Sequence, residues 1–303
     1  MANTFPVTVH LYRTGPRASR DSCAYEYGIP SSSPSPPPSN ALIFIGGLGD
    51  GPHGVPYVRS IAKKLEASKA NWSVFEVRLS SAYSGFGFGS LMRDVEEISY
   101  FVAYLRNQLD KTKAVLLGHS TGCQDCLEYS KHWANVDHVD GFILQGPVSD
   151  RESTALLMDK AEMDESVAHA AKMIAEGRED EFMPPDLLPV EYSTNPITAY
   201  RWHSLAAVGG DDDYFSSDLP DDRLTATWGG LEKPVLIVPS ADDEHVPEDL
   251  DVAKLVEKWK SFCKPGIASE LSGLIPGANH RVDDDDAREW LADRVAGFLA
   301  SLE

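Results

Sequence analysis

Short apolar runs alternate along this chain with longer stretches of helical periodicity. Residues 5–12 (FPVTVHLY) alternate in the manner of a strand, and a second short strand is predicted near Ala24–Tyr27. Ala41–Ile45 is continuously apolar, as a strand buried on both faces would be, and it runs into a glycine-rich turn at 46–51. The pattern then predicts a helix over Tyr57–Ala67 and a strand over Trp72–Val77. Ser90 stands where it can cap a helix whose apolar face carries Leu91, Val95, Ile98, Val102 and Leu105. Ala114–Leu117 reads as another buried strand. Gly118-His119-Ser120-Thr121-Gly122 follows it, then a helix over about Cys123–His132 and a strand over Gly141–Leu144.

This alternation stops near Asp150 and resumes at Pro234–Val238. A helix over about Val252–Phe262 and a strand over about Ser269–Ile275 come next. The last helix presents Ala287, Trp290, Leu291, Val295, Phe298, Leu299 and Leu302 on one face. Strands alternating with helices imply a mostly parallel sheet with helices on both faces, an α/β architecture. The expected division is a core of residues 1–149 and 231–303, interrupted by an insertion at 150–230. The proline-serine stretch at 30–39 has few backbone donors and reads as an exposed connector, in preference to a ligand for a proline-binding domain.

Charge narrows the set of partners. The chain has 47 acidic and 27 basic residues, a net charge of −20, which argues against nucleic acid and anionic membrane surfaces. No run of 18 apolar residues exists, and the first residues have neither a basic stretch nor an apolar one. The four cysteines, Cys23, Cys123, Cys126 and Cys263, fit a reducing compartment. The expectation is a cytoplasmic protein without a membrane span.

Chemistry concentrates at Ser120. Its G-x-S-x-G motif lies between a strand and a helix, the setting in which such a turn lifts a serine clear of a sheet edge. Side chains two residues either side would collide, which accounts for Gly118 and Gly122. A serine hydroxyl needs a base to become a nucleophile at neutral pH. The strand–turn–helix setting resembles the α/β-hydrolases, whose nucleophile, acid and base follow in that order along the chain. The resemblance implies a base on the loop after the last strand, and His280 stands there, ahead of His119, His245 and His53. His132 and His138 have no companions that would make a metal site. The resemblance also implies an acid three residues before a Val-Pro or Ile-Pro pair, which selects Asp243, with Asp242 as competitor and Asp150 as a more distant option. For the oxyanion the resemblance implies the N–H groups of Thr121 and, by register in Gly46-Gly47-Leu48-Gly49, Leu48. No Lys or Ser/Thr follows that turn in phosphate-loop spacing. In this fold an insertion at 150–230 forms a helical cap over the nucleophile.

Two further features have simple readings. Cys123 and Cys126 have redox-motif spacing but sit inside the serine turn, so they read as packed thiols, and no second pair exists for zinc. Asp283–Asp286 opens the last helix, where acids cap it and offset its dipole. The insertion is more pointed. It holds 18 Asp and Glu against 6 Lys and Arg, densest at Asp211–Asp213 and Asp218. That patch is either a solvated surface or a negative mouth for a cationic substrate.

More narrowly, the chain resembles a fungal branch of hydrolases that includes the siderophore esterase acting on fusarinine C. The likeness rests on the turn at 46–51, Gly118–Asp125, Leu144–Arg151 and Pro276–His280. It implies ester hydrolysis in a hydroxamate siderophore, releasing iron inside the cell. The partner would be a small-molecule ester, cationic if its amines are free. Iron would arrive with that substrate, and neither a cofactor nor a metal belonging to the protein is implied. The alternatives are a general carboxylesterase, thioesterase or lipase on another cytosolic acyl compound, and a catalytically silent ligand-binding relative.

Overall fold

The computed structural model describes residues 4–15, 21–28, 36–132 and 136–303. Most of the proline-serine stretch, 30–35, lies outside the described residues. Among them, seven strands form one sheet in the order β1-β2-β4-β3-β5-β6-β7. β1 (Val7–Arg13) and β2 (Asp21–Tyr27) are antiparallel to each other, and β2 is antiparallel to β4 (Trp72–Val77). β4, β3 (Asn40–Ile45), β5 (Lys113–His119), β6 (Gly141–Gln145) and β7 (Val235–Val238) are parallel. Every residue of β3, β4, β6 and β7 is buried, as the continuous apolar runs require of central strands covered on both faces.

Two helical layers do the covering. On one face α1 (Tyr57–Ala67) and α9 (Asp285–Ser301) seat Ile61, Leu65, Leu291, Val295, Phe298 and Leu299 against Leu42, Phe44, Val115 and Leu236. Burying each such side chain contributes about 1.5–3 kcal/mol. On the other face lie α2 (Leu91–Gln108), α3 (Gly122–Lys131), α7 (Asp221–Trp228) and α8 (Val252–Phe262). Trp228 and Trp259 stack there with ring centres 5.2 Å apart. The caps sit where their residue types allow: Ser90 Oγ accepts from Arg93 N–H, and Asp284 accepts from the N–H groups of Asp286 and Ala287. No helix among the described residues is long and apolar enough to cross a membrane.

Residues 150–230 hold α4 (Asp150–Thr154), α5 (Lys160–Ala175), α6 (Ala199–Ala206) and α7. α5 and α6 build a separate apolar cluster around Trp202, Met163, Met173 and Ile197, which also takes in Phe86 from the turn after β4. The strand expected at 269–275 is corrected. The segment makes only single bridges, Val235 with Ala268 and Ser240 with Ile275. It follows β7 irregularly because Ser272 Oγ, in place of a backbone carbonyl, accepts from Ile237 N–H at 3.0 Å. A turn from Ser272 N–H to Ser269 O breaks the ladder as well.

The parallel register aligns the ends of β3, β5 and β6, pairing Ile45 with Gly118 and His119 with Gln145. The chain reversals after these strands are packed backbone to backbone. A Cβ added to Gly122 would lie 2.5 Å from Ile45 O, and one added to Gly118 would overlap the carbonyl of Gly122. Gly118→Ala or Gly122→Ala should therefore cost more than about 2 kcal/mol of stability, beyond the usual range for a surface change. Urea denaturation monitored by tryptophan fluorescence checks this; a midpoint unchanged from the parent protein would contradict the packing argument.

Candidate active site

Ser120 occupies the reversal between β5 and α3. Its φ is +53°, a left-handed conformation that costs a residue with a Cβ about 1–3 kcal/mol. The strain is held by the ladder: Ser120 N–H donates to Gln145 O at 3.0 Å, and Cys123 N–H donates to Ser120 O at 2.8 Å. Ser120 thus stands at the carboxyl end of β5, immediately before α3.

His280 reaches the same place from the loop between Ile275 and α9. Its Nδ1 lies 2.7 Å from Asp243 Oδ2, and both side chains are almost fully buried. The second oxygen of Asp243 accepts from His245 N–H at 3.0 Å, so the carboxylate is satisfied on both sides. Asp242, the competitor, is exposed, and Asp150 bonds elsewhere. Glu244 fixes the base from behind, accepting from His280 N–H at 2.8 Å.

Leu48 sits at the corner of the turn after β3. The turn's own hydrogen bond runs from Asp50 N–H to Gly47 O at 3.1 Å, with Gly49 at φ +75° in its third position. The turn therefore does not consume the Leu48 N–H. Thr121 follows Ser120 directly and starts α3. A Cβ on Gly47 would meet that of Ser120 at 2.7 Å, so this turn and the serine are in close contact.

Asp50 joins these loops, a part the sequence reading missed. Its Oδ2 accepts from Gly47 N–H at 2.9 Å and lies 3.8 Å from His119 Nε2. Its Oδ1 lies 3.5 Å from Arg281 Nη1, one residue beyond His280. The signal was an acid embedded in glycines, Gly49-Asp50-Gly51, where it is the one side chain able to tie the turn to other loops.

Two other imidazoles flank His280, His119 at 4.9 Å and His245 at 4.5 Å between ring centres. His119 is buried, with Nδ1 2.6 Å from Gln145 Oε1. Burial first, then His280, pull it down to about 4, so it stays neutral at pH 7 and is a weaker proton acceptor than an ordinary imidazole. His245 is lowered as well, by burial and then by His280. His53 and His132 lie apart from the site, paired with Glu76 and Glu128. Among the described residues no group of three or more His, Cys, Asp or Glu is arranged to hold a metal.

Ser120, His280, Leu48 and both flanking histidines line one cavity of about 450 Å³. The insertion contributes Asp150, Ser153, Glu191, Tyr192 and Asn195 to its wall, and Tyr83, Ser84 and Phe86 come from the turn before α2. Of the two readings of the acidic patch at Asp211–Asp213 and Asp218, the negative mouth is not supported: none of these residues lines the cavity. Asp212 is buried against Arg201 Nη1 and Ser204 Oγ, each at 2.6 Å. Asp211 accepts from Tyr200, while Asp213 and Asp218 meet Arg151. These acids stitch the insertion together. Cys123 and Cys126 are buried free thiols, with burial pushing both well up, as packing residues and not redox partners.

The sheet, the strand order and the serine turn define the α/β-hydrolase fold. A solved structure titled "Alpha/Beta hydrolase fold protein of unknown function" superimposes with a TM-score of 0.68 at 17% identity, covering 99% of this chain and 97% of that one. The chain belongs to the family described as "Protein of unknown function (DUF1749)", which matches residues 1–300. It is similar to the Aspergillus fumigatus protein named Fusarinine C esterase sidJ, 30% identical over 318 residues, covering 87% of this chain and 89% of the relative. The solved "Siderophore hydrolase EstB from Aspergillus fumigatus" is 28% identical with a TM-score of 0.77, covering 98% of each chain.

Beside the cavity, acids from α2, α3, α4 and the loop after α6 crowd around the buried Arg201: Asp94, Asp125, Asp150 and Asp212. Burial raises the Asp94 carboxyl to about 7, against hydrogen bonding from Ser81 and the pull of Arg201. The native state therefore holds a proton on Asp94 where the unfolded chain, titrating near 3.8, has lost it. Stability from this group is present at low pH and falls as pH rises toward 7. Asp94→Asn should raise Tm at pH 8 by several degrees more than at pH 5, measured by calorimetry in matched ionic strength. Equal shifts at both pH values would show that Asp94 is ionised in the folded protein.

Proposed function

We propose that the chain is a serine carboxylic ester hydrolase, with residues 1–149 and 231–303 as catalytic core and 150–230 as cap. What carries the reading is one cavity shared by the strained Ser120 and an imidazole whose Nδ1 is already bonded to a buried carboxylate. Asp243 holds the proton on Nδ1 of His280, which leaves the Nε2 lone pair to take the hydroxyl proton of Ser120. Ser120 Oγ attacks the ester carbonyl, and the N–H groups of Leu48 and Thr121 stabilise the oxyanion. The imidazolium, stabilised by Asp243, returns its proton to the departing alcohol. Water, deprotonated by His280, then releases the acid from the serine.

The names of the relatives support a finer reading, in which the ester is that of a siderophore of the fusarinine C type; its cleavage in the cytoplasm to free iron belongs to the same proposal. A cavity of about 450 Å³ open to solvent suits a branched substrate that enters by one arm. Four free thiols suit a reducing compartment.

Incubation with ferri-fusarinine C should yield linear hydroxamate fragments by mass spectrometry, and a fluorophosphonate probe should label the parent protein at Ser120. Ser120→Ala should abolish both. Asp243→Asn, which removes the charge that fixes the tautomer, should lower kcat by about 10⁴-fold. Cleavage of simple p-nitrophenyl esters without cleavage of the siderophore would leave the general esterase and remove the siderophore. Full activity in Ser120→Ala would end the serine mechanism.

A further inference from the structure

Four charged side chains line the cavity: Asp50, Asp150, Glu191 and Arg281. Asp50 and Arg281 face one another and largely cancel. Among the described residues neither of the other two carboxyls makes an ion pair of its own, and Arg201, whose charge reaches Asp150, is bonded to Asp212. Asp150 leaves the end of β6 at the first position of α4 and meets only neutral donors, Gln124 Nε2 at 2.5 Å and Thr121 Oγ1 at 3.4 Å. The neighbouring guanidiniums are engaged elsewhere, Arg151 with Asp213 and Asp218, and Arg201 with Asp212. Glu191 is exposed at the cavity rim.

The direction of the Asp150 carboxyl is built in. Gln124 is completely buried on α3, and its amide nitrogen donates to this acid at 2.5 Å and to Val148 O at 3.4 Å. Thr121 adjoins Ser120, so the carboxyl stands within roughly 4–8 Å of an attacked carbonyl, one to two residue lengths. Burial, followed by repulsion from Asp212, pushes Asp150 up to about 8 against the pull of Arg201 and its hydrogen bonds, so a further cation placed beside it would favour the ionised form.

We propose that Asp150 is a specificity-determining residue whose carboxyl receives an ammonium group of the substrate. The favoured esters then carry a primary amine some five or six bonds from the scissile carbonyl, and Glu191 extends the acidic wall toward solvent. This rests on the esterase reading above for the identity of the reacting bond, but the ammonium site itself does not require turnover.

The test compares p-nitrophenyl 6-aminohexanoate with p-nitrophenyl hexanoate. The parent protein should favour the amino ester in kcat/KM by about tenfold or more, the scale of a charge-assisted hydrogen bond. Asp150→Asn, which keeps the shape that Gln124 and Thr121 grip, should bring the ratio close to one. Glu191→Gln should lower it less. The second arm is calorimetry on Ser120→Ala with methyl 6-aminohexanoate and methyl hexanoate, repeated with Asp150→Asn added. A parent ratio of one or below, or a ratio that survives Asp150→Asn, overturns the proposal. Preferential binding of the amino ester that depends on Asp150, with neither p-nitrophenyl ester cleaved, would remove the esterase reading and leave the ammonium site standing.

Discussion

The steric limit at the ends of β3, β5 and β6 governs everything built above them. Three reversals meet there with no room for a Cβ on Gly47, Gly118 or Gly122. Because the backbones touch, Ser120 is driven to φ +53° and its side chain is left on the outer surface of the turn. The cost of that conformation, about 1–3 kcal/mol, is small beside the burial of Leu116, Leu117, Ile43 and Leu144 in the same strands at about 1.5–3 kcal/mol each. The sheet therefore dictates the turn. A serine so held loses nothing further on meeting a substrate, since its strain is already present in the resting fold.

Around this rigid centre the loops are fixed by charge. Asp243 is held in a nearly dry position, which would be costly for a carboxylate alone, but both its oxygens have partners. Asp50 has a complementary part. It holds the turn bearing Leu48, and the same carboxyl reaches toward His119 and Arg281, so the loops after β3, β5 and the final turn before α9 share one anchor. Glu244 adds a backbone tie to His280. Each acid sits one or two bonds away from a group that lines the cavity, and none of these ties depends on the insertion.

Sequence patterning made the core readable for a physical reason. Parallel strands covered on both faces must be continuously apolar, so Ala41–Ile45, Trp72–Val77 and Ala114–Leu117 could be placed within two residues of β3, β4 and β5. Helices were readable where one face is apolar, as in α1 and α8, whose bounds agree with the pattern. The segment at 269–275 misled because its alternation is that of a strand, while the Ser272 side chain replaces one backbone acceptor toward β7 and a turn at Ser269–Ser272 interrupts the pairing. Ser120, His280 and Asp243 were marked by turn chemistry and chain order. Asp50, Gln124 and Glu244 were not, because their partners are set by contacts between distant loops that no spacing encodes.

Charge was the least legible property, and the reason is instructive. The insertion's net −12 suggested a negative mouth at its densest acidic run. The fold brings Arg201 and Arg151 to that run, and Asp212 and Asp213 become internal ties. Surface charge acts over a Debye length of about 8–10 Å and so can gather cations without choosing among them. Choice requires a contact that excludes water. Of the 18 acidic residues in the insertion, Asp150 and Glu191 are the two that line the cavity. A count of charges thus describes what the molecule attracts, whereas the two cavity carboxyls without an ion pair of their own describe what it can distinguish. The first follows from composition, and the second exists only once the sheet has brought β6 beside the serine turn.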